Sequence, residues 1–203
     1  LHLCNKNFQN MNSKDSSKAK NDLLLDVCMA AKFEGESLKT YRAQYDEQYP
    51  SSVSTFTMCT MLARSFADIG DIIRGKDLYR RDKGEETKLE KNLQNIFKEI
   101  YEELIKNGSN GKEAQEYYKK DDKDPNYYKL REDWWTANRH TVWKAITCSD
   151  DLKGASYFRP TCIDGQSGAQ ANNYCRCGND EPGNDNPNTD PPTYFDYVPQ
   201  FLR

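Results

Sequence analysis

Phe56 to Gly75 reads FTMCTMLARSFADIGDIIRG. Phe56, Cys59, Leu62, Phe66, Ile69 and Ile73 recur every three or four residues, which predicts a helix with one apolar stripe. Gly75 is placed as its C-cap, because glycine takes the left-handed conformation that closes a helix. Gly70 lies inside the pattern, where glycine costs about 1 kcal/mol relative to alanine. It marks either close packing or a kink. A stripe of this kind needs partners of the same kind on either side.

Upstream, Leu24, Val27, Ala31, Leu38, Tyr41 and Tyr45 repeat at helical spacing from Asp22, and Pro50 ends the run. Downstream, Lys76 to Glu86 is a polar connection. Leu89, Leu93, Ile96, Ile100 and Leu104 then predict a third helix, with Glu85 and Glu86 suiting its start and Lys106 and Gly108 its end. Lys112 to Lys120 adds a short helical piece. Asp124-Pro125 reads as an N-cap and first-turn pair for a fourth long helix. That helix carries Tyr128, Arg131, Trp135, Asn138, Val142 and Ala145, with Trp134 and Trp143 beside the stripe.

Strand-type alternation is nearly absent. The predicted fold is all-α: a disulfide-stapled antiparallel helical bundle with long irregular Cys-, Pro- and Gly-rich loops. In an up-down bundle the first helix starts where the fourth finishes, so Cys28 and Cys148 are expected to meet as a disulfide. Gly178 to Thr193 (GNDEPGNDNPNTDPPT) has the composition of a mobile surface loop. Tyr194 to Arg203 (YFDYVPQFLR) is apolar again, and Pro199 is placed to open a further helix.

Composition narrows the function. The chain has 203 residues and a hydrophobic share of only 36%, inflated by 13 Tyr. Seven Cys on so polar a chain suggest an exported domain held by disulfides. Their odd number leaves at least one free or paired elsewhere, as expected of a fragment. No apolar run is long enough to span a membrane, and no signal peptide is visible. With 29 Lys and Arg against 32 Asp and Glu the net charge is -3, which argues against a globally basic nucleic-acid binder.

Catalysis has little support. No nucleotide, phosphate or hydrolase motif is present, and no cofactor is expected. His2 lies in the polar start, and a surface or capping role suits His140. Cys162, Cys175 and Cys177 could be zinc ligands, but their spacing is no familiar zinc pattern and disulfides are the plainer reading, so no metal is expected. Trp134, Trp135 and Trp143 could form a sugar-stacking platform or belong to the core; their spacing favours the core. Arg74, Lys76, Arg80, Arg81 and Lys83 form either a solvated loop or an anion site whose guanidinium forks grip sulfate or carboxylate.

Several segments taken together are more specific. LLLDVCMAAKFEG (Leu23–Gly35), FADIGDIIRGKDLY (Phe66–Tyr79), WWTANRHTVWKAITC (Trp134–Cys148), YFRPTC (Tyr157–Cys162) and PTYFDYVPQFLR (Pro192–Arg203) resemble Duffy-binding-like domains. They are most similar to the alpha class of the Plasmodium falciparum erythrocyte membrane protein one family. The resemblance covers nearly the whole chain and implies a mostly helical three-part domain. Residues 1–21 would be the end of the first subdomain and a linker, residues 22–162 the helical second subdomain, and residues 163–203 a variable loop and the start of the third. It also points to a Cys59–Cys162 disulfide. Cys4, Cys175 and Cys177 stay unassigned.

The resemblance implies host-cell adhesion by a variant surface antigen displayed on the infected erythrocyte. Partners would be a red-cell receptor or carbohydrate, heparan-sulfate-like glycan, complement receptor one, and host antibodies; nucleic acid is not expected. Arg74, Lys76, Arg80, Arg81 and Lys83 are the glycan-binding candidates, on charge alone. The other reading is a structural, antigenically variable middle subdomain whose ligand site lies on other parts of the domain.

Overall fold

The structure, a computed structural model, describes residues 19–48, 57–78, 88–107, 111–119, 121, 124–162, 170–178 and 191–203. Among these residues are the helices α1 (Ala19–Gln48), α2 (Met58–Arg74), α3 (Lys88–Asn107), α4 (Gly111–Tyr117) and α5 (Tyr128–Ile146). Single 3-10 turns follow at Asp150–Leu152, Phe195–Tyr197 and Gln200–Leu202. The described residues contain no strand, and the all-α bundle stands as expected.

The α2 stripe is the centre of the core. Cys59, Leu62, Phe66, Ile69, Ile72 and Ile73 are all fully buried. Thr57 caps the start, its Oγ1 accepting the Thr60 N–H at 3.3 Å, and Gly75 closes the end at φ 72°. Helix α5 lies antiparallel against this stripe. The Phe66 ring is 5.1 Å from Trp135 and 5.1 Å from Trp143, and the Ile72 and Ile73 carbonyls meet Arg131. Gly70 marks close packing: a Cβ there would lie 2.8 Å from the Trp135 ring. All three tryptophans are buried, so they belong to the core.

Helix α1 buries Leu23, Val27, Ala30, Ala31 and Glu34. Its direction corrects one expected disulfide. Gly35 abuts the Ile146 carbonyl at the last residue of α5, and Lys39, one turn on, reaches Ser149 and Asp151 beyond it. Past Gly35, α1 is mostly exposed. The chain therefore runs the same way along α1 and α5, with α2 against both. Cys28 lies about two turns, roughly 10 Å, before the level at which α5 ends. A disulfide requires Cα atoms about 4.4–6.8 Å apart. Cys28 and Cys148 are accordingly both free, Cys28 half-buried and Cys148 exposed. Burial pushes the Cys28 thiol up to about 11.

The other expected pair, Cys59–Cys162, is also replaced. Cys59 is joined to Cys175, and Cys162 to Cys177. The reason lies in how residues 170–178 close the end of α5. Arg176, 1% exposed, donates to Thr147 Oγ1 at 2.9 Å and to the Lys144 carbonyl at 2.8 Å, satisfying the helix end. Trp143 Nε1 donates to the Cys175 carbonyl at 3.1 Å. These bonds set Cys175 over the start of α2, where Cys59 points inward, and leave Cys177 for Cys162.

The start of α5 shows a further difference. The Asp121 carboxylate, not Asp124, accepts the Lys129 and Leu130 N–H groups at 3.3 and 2.9 Å. Asp124 instead holds Asn126. A carboxylate eight residues before Lys129 has taken the place of the adjacent cap. Cys4, Arg80, Arg81, Lys83 and residues 179–190 of the expected mobile loop Gly178–Thr193 lie outside the described residues. The loop's last three residues, 191–193, are buried, with the Thr193 carbonyl held by Arg139, and so do not have the lack of anchoring expected of them.

Candidate functional site

The basic candidates begin where α2 ends. Its last carbonyls are claimed by Arg131, fully buried, whose Nε donates to Ile73 at 2.6 Å and whose NH2 donates to Ile72 at 3.1 Å. The same guanidinium forks onto Glu90 of α3 at 2.5 and 3.1 Å. Arg131 thus ties three helices together at one point, the bidentate geometry suited to arginine.

Arg74 does not stand free for a ligand. It is 2% exposed and donates to the Gly70 carbonyl, Asp71, Glu132 and the Asp196 carbonyl. Its fork is consumed by the fold, which removes it from the anion site expected of the sequence. Lys76 does reach solvent, its side chain 54% exposed, while bonding Glu132. Burial pushes the Glu132 carboxyl up, but the bond from Lys76 and the charges of Arg74 and Lys76 outweigh it and hold it below its usual value. The structure therefore brings Arg74 and Lys76 together through one carboxylate, with one buried and the other at the surface.

Beside them lies a strap, residues 191–203, that the apolar look of YFDYVPQFLR does not foretell. Its buried anchor is Asp196, fully enclosed, which receives Trp135 Nε1 at 2.8 Å and Arg139 twice, at 2.9 and 2.8 Å. Arg139, 4% exposed, also donates to the Thr193 carbonyl at 2.8 Å. Farther along, Gln200 bridges to Asp77 and to the Leu78 N–H, and Arg203 bonds Asp68 and Asp71. Burial drives the Asp68 carboxyl upward against the pull of Arg203.

With the polar residues turned in, the aromatic ones face out. Tyr194 is 54% exposed and Tyr197 39% exposed, their ring centroids 6.4 Å apart and tilted by 36°. The guanidinium of Arg139 lies 5.1 Å from the Tyr194 centroid and 5.4 Å from that of Tyr197, and Arg74 lies 5.1 Å from Tyr197. Tyr197 Oη and Thr136 Oγ1 share a hydrogen bond of 3.0 Å. A signal for this arrangement exists in the sequence: a lone acidic residue between aromatics, set against a helix carrying Arg139. His140, the other polar candidate on α5, is half-buried. Among the described residues, no cluster of His, Cys, Asp and Glu could hold a metal ion.

The comparisons with known proteins agree with this frame. The model of the Duffy binding domain family matches residues 1–203, and the chain belongs to that family. It is similar to the solved NTS-DBL1(alpha-1) domain of the Plasmodium falciparum membrane protein 1, PfEMP1, from the varO strain, with 39% identity and a TM-score of 0.64. That match covers 99% of this chain and 40% of the other. The NTS-DBL1-alpha and CIDR-gamma double domain of the same strain matches at 39% identity and a TM-score of 0.67, over 98% of this chain and 25% of the other. An ICAM-1-binding PfEMP1 DBLbeta domain matches at 37% identity and a TM-score of 0.58, over 75% of this chain and 34% of the other. No curated protein matches. The chain thus spans well under two thirds of these solved relatives.

Proposed function

We propose that this chain is part of a host-cell adhesion domain of a PfEMP1-type variant antigen, displayed on the surface of the infected erythrocyte. The family match over residues 1–203, with a DBL1-alpha domain at 39% identity, is the observation that carries this reading. No described helix is long and apolar enough to cross a membrane. The division into residues 1–21, 22–162 and 163–203 is part of the same proposal.

The partner class proposed is a red-cell receptor or sulfated, heparan-sulfate-like glycan, in rosetting-type adhesion, with complement receptor one and host antibodies as further partners. Lys76, with Arg80, Arg81 and Lys83 in the connection that follows, supplies the cationic groups; Arg74 supplies none. The test is retention on immobilised heparin. The parent should be retained weakly and elute earlier as salt rises. Arg80→Ala with Arg81→Ala should elute at lower salt with unchanged circular dichroism. Equal elution of both proteins would move the glycan site elsewhere.

Two observations favour a second reading, a structural middle part whose ligand site lies on the remainder of the domain. Arg74 is used up internally, and the chain covers only 40% of its DBL1-alpha relative. Two relatives, one DBLbeta domain matched in two structures at 36–37% identity and another at 33%, are described as binding or bound to ICAM-1, so a protein receptor belongs to this reading as well. A parent that passes straight through heparin, and erythrocyte binding recovered only with the longer domain, would favour it.

A further inference from the structure

We propose that Tyr194 and Tyr197 form a stacking platform for a sugar ring of an acidic glycan, with Thr136 and Lys76 on its rim; this deepens the glycan reading above and rests on it. The two rings are displayed by the buried residue between them. Asp196 is fully enclosed and held by Trp135 and Arg139, so its neighbours at positions 194 and 197 turn outward on a short 3-10 turn. Their inner side is fixed by cations that cannot leave. Arg139 and Arg74, both under 5% exposed, lie 5.1–5.4 Å from the ring centroids. The rings are therefore backed and oriented before any ligand arrives, which lowers the ordering cost of binding.

The surroundings choose the ligand. A pyranose has an apolar C–H face and a polar edge, and tyrosine likewise combines an apolar ring with a polar tip. The rim here is polar. Thr136 is exposed and shares its hydroxyl with Tyr197 Oη. Glu132, one turn earlier on α5, bonds both Arg74 beneath Tyr197 and the exposed Lys76. The strap is also tied to the backbone of Leu78 through Gln200, two residues beyond Lys76. A sulfate or carboxylate on the sugar would meet Lys76, while the ring would find the tyrosines. Charge alone would attract any polyanion; stacking selects one made of sugar rings.

Two probes separate these terms: a heparin octasaccharide, and polyvinyl sulfonate, a polyanion without sugar rings. The 203-residue parent should bind the octasaccharide more tightly than polyvinyl sulfonate of equal charge. Tyr194→Ala with Tyr197→Ala should weaken octasaccharide binding about tenfold, within the range of aromatic stacking contacts on nucleic-acid bases, and leave polyvinyl sulfonate unchanged. Tyr194→Phe with Tyr197→Phe should keep most of the octasaccharide affinity. Should the alanine pair disturb the strap, chemical-shift mapping of the parent gives the answer without substitution: the ring protons of Tyr194 and Tyr197 should move with added octasaccharide. If the octasaccharide binds while those protons stay still, or the alanine pair binds it as the parent does, the platform is overturned and the glycan reading survives. If the parent binds neither probe, the glycan reading itself fails, and the platform falls with it.

Discussion

The bundle and the strap are held by opposite chemistry. Apart from the arginines at its end, the interior around α2 is apolar: Phe66, Trp135, Trp143, Leu62, Ile69 and Val27 are buried, and Cys59–Cys175 locks the arrangement. Along residues 191–203 the pattern inverts. Asp196 is enclosed, while Tyr194, Phe201 and Leu202 are more than half exposed. The bundle is stabilised by removing hydrocarbon from water. The strap is placed by charge: Arg139 pairs with Asp196, Arg203 pairs with Asp68 and Asp71, and Arg74 donates to the Asp196 carbonyl. Buried ion pairs add little to net stability, although breaking one is costly. The difference teaches which parts respond to sulfur chemistry and which to titration.

The largest expected effect lies in the bundle. Cys59→Ala opens a disulfide across a sequence separation of 116 residues. The chain-entropy argument gives a loss of about 4–5 kcal/mol. Thermal unfolding should show a large fall in midpoint. By contrast, Cys28→Ala and Cys148→Ala should change stability by less than about 1 kcal/mol, since neither thiol is bonded to another. A destabilisation from Cys148→Ala as large as that from Cys59→Ala would mean that Cys148 is cross-linked after all.

The strap should give way without the bundle. Asp196→Ala leaves the Arg139 guanidinium and Trp135 Nε1 without their acceptor in a buried place. Removing one member of a buried pair costs about 3–5 kcal/mol. Hydrogen exchange should rise across residues 193–203 while the amides of α2 keep their protection. Equal loss of protection in both places would show that strap and bundle unfold as one unit, and the contrast drawn above would fail.

Much of the bundle was legible because its signal is local. The three-and-four rhythm places α2, α3 and α5 within a few residues of where they lie. Most of the misread features depend on neighbours distant in sequence. Cys28 and Cys148 looked paired under a strictly alternating bundle, whereas α1 runs parallel to α5. Asp124 looked like a cap, yet Asp121 folds back to do that work. Arg74 resembled a ligand fork because burial of an arginine leaves no mark in its own sequence neighbourhood. The strap was hardest: six aromatic or aliphatic residues in ten suggested the start of a helix, while the residue that fixes it in place is the lone aspartate.

The smallest expected effect concerns pH, and two carboxylates near the strap should answer with opposite signs. Asp68 is raised from its ordinary value of 3.8 by burial. A raised carboxyl favours folding when protonated, so its contribution is fully present below the unfolded value and is lost as pH rises through the higher folded one. Glu132 is lowered from 4.5, because the bond from Lys76 and the charges of Arg74 and Lys76 outweigh its burial. Its contribution is present above the unfolded value and is lost as pH falls through the lower folded one. Asp68→Asn should therefore be neutral to stabilising at pH 7, with that advantage shrinking as pH falls below the folded value of Asp68. Glu132→Gln should be destabilising at pH 7, by about 1 kcal/mol or less because the pair with Lys76 is partly in solvent, and should approach the parent in acid. Denaturant midpoints of the parent and both variants at pH 3 and pH 7 read the two signs directly. If both variants are destabilised at pH 7, Arg203 outweighs the burial of Asp68, and the outer end of the strap is held as firmly by charge as its Asp196 anchor.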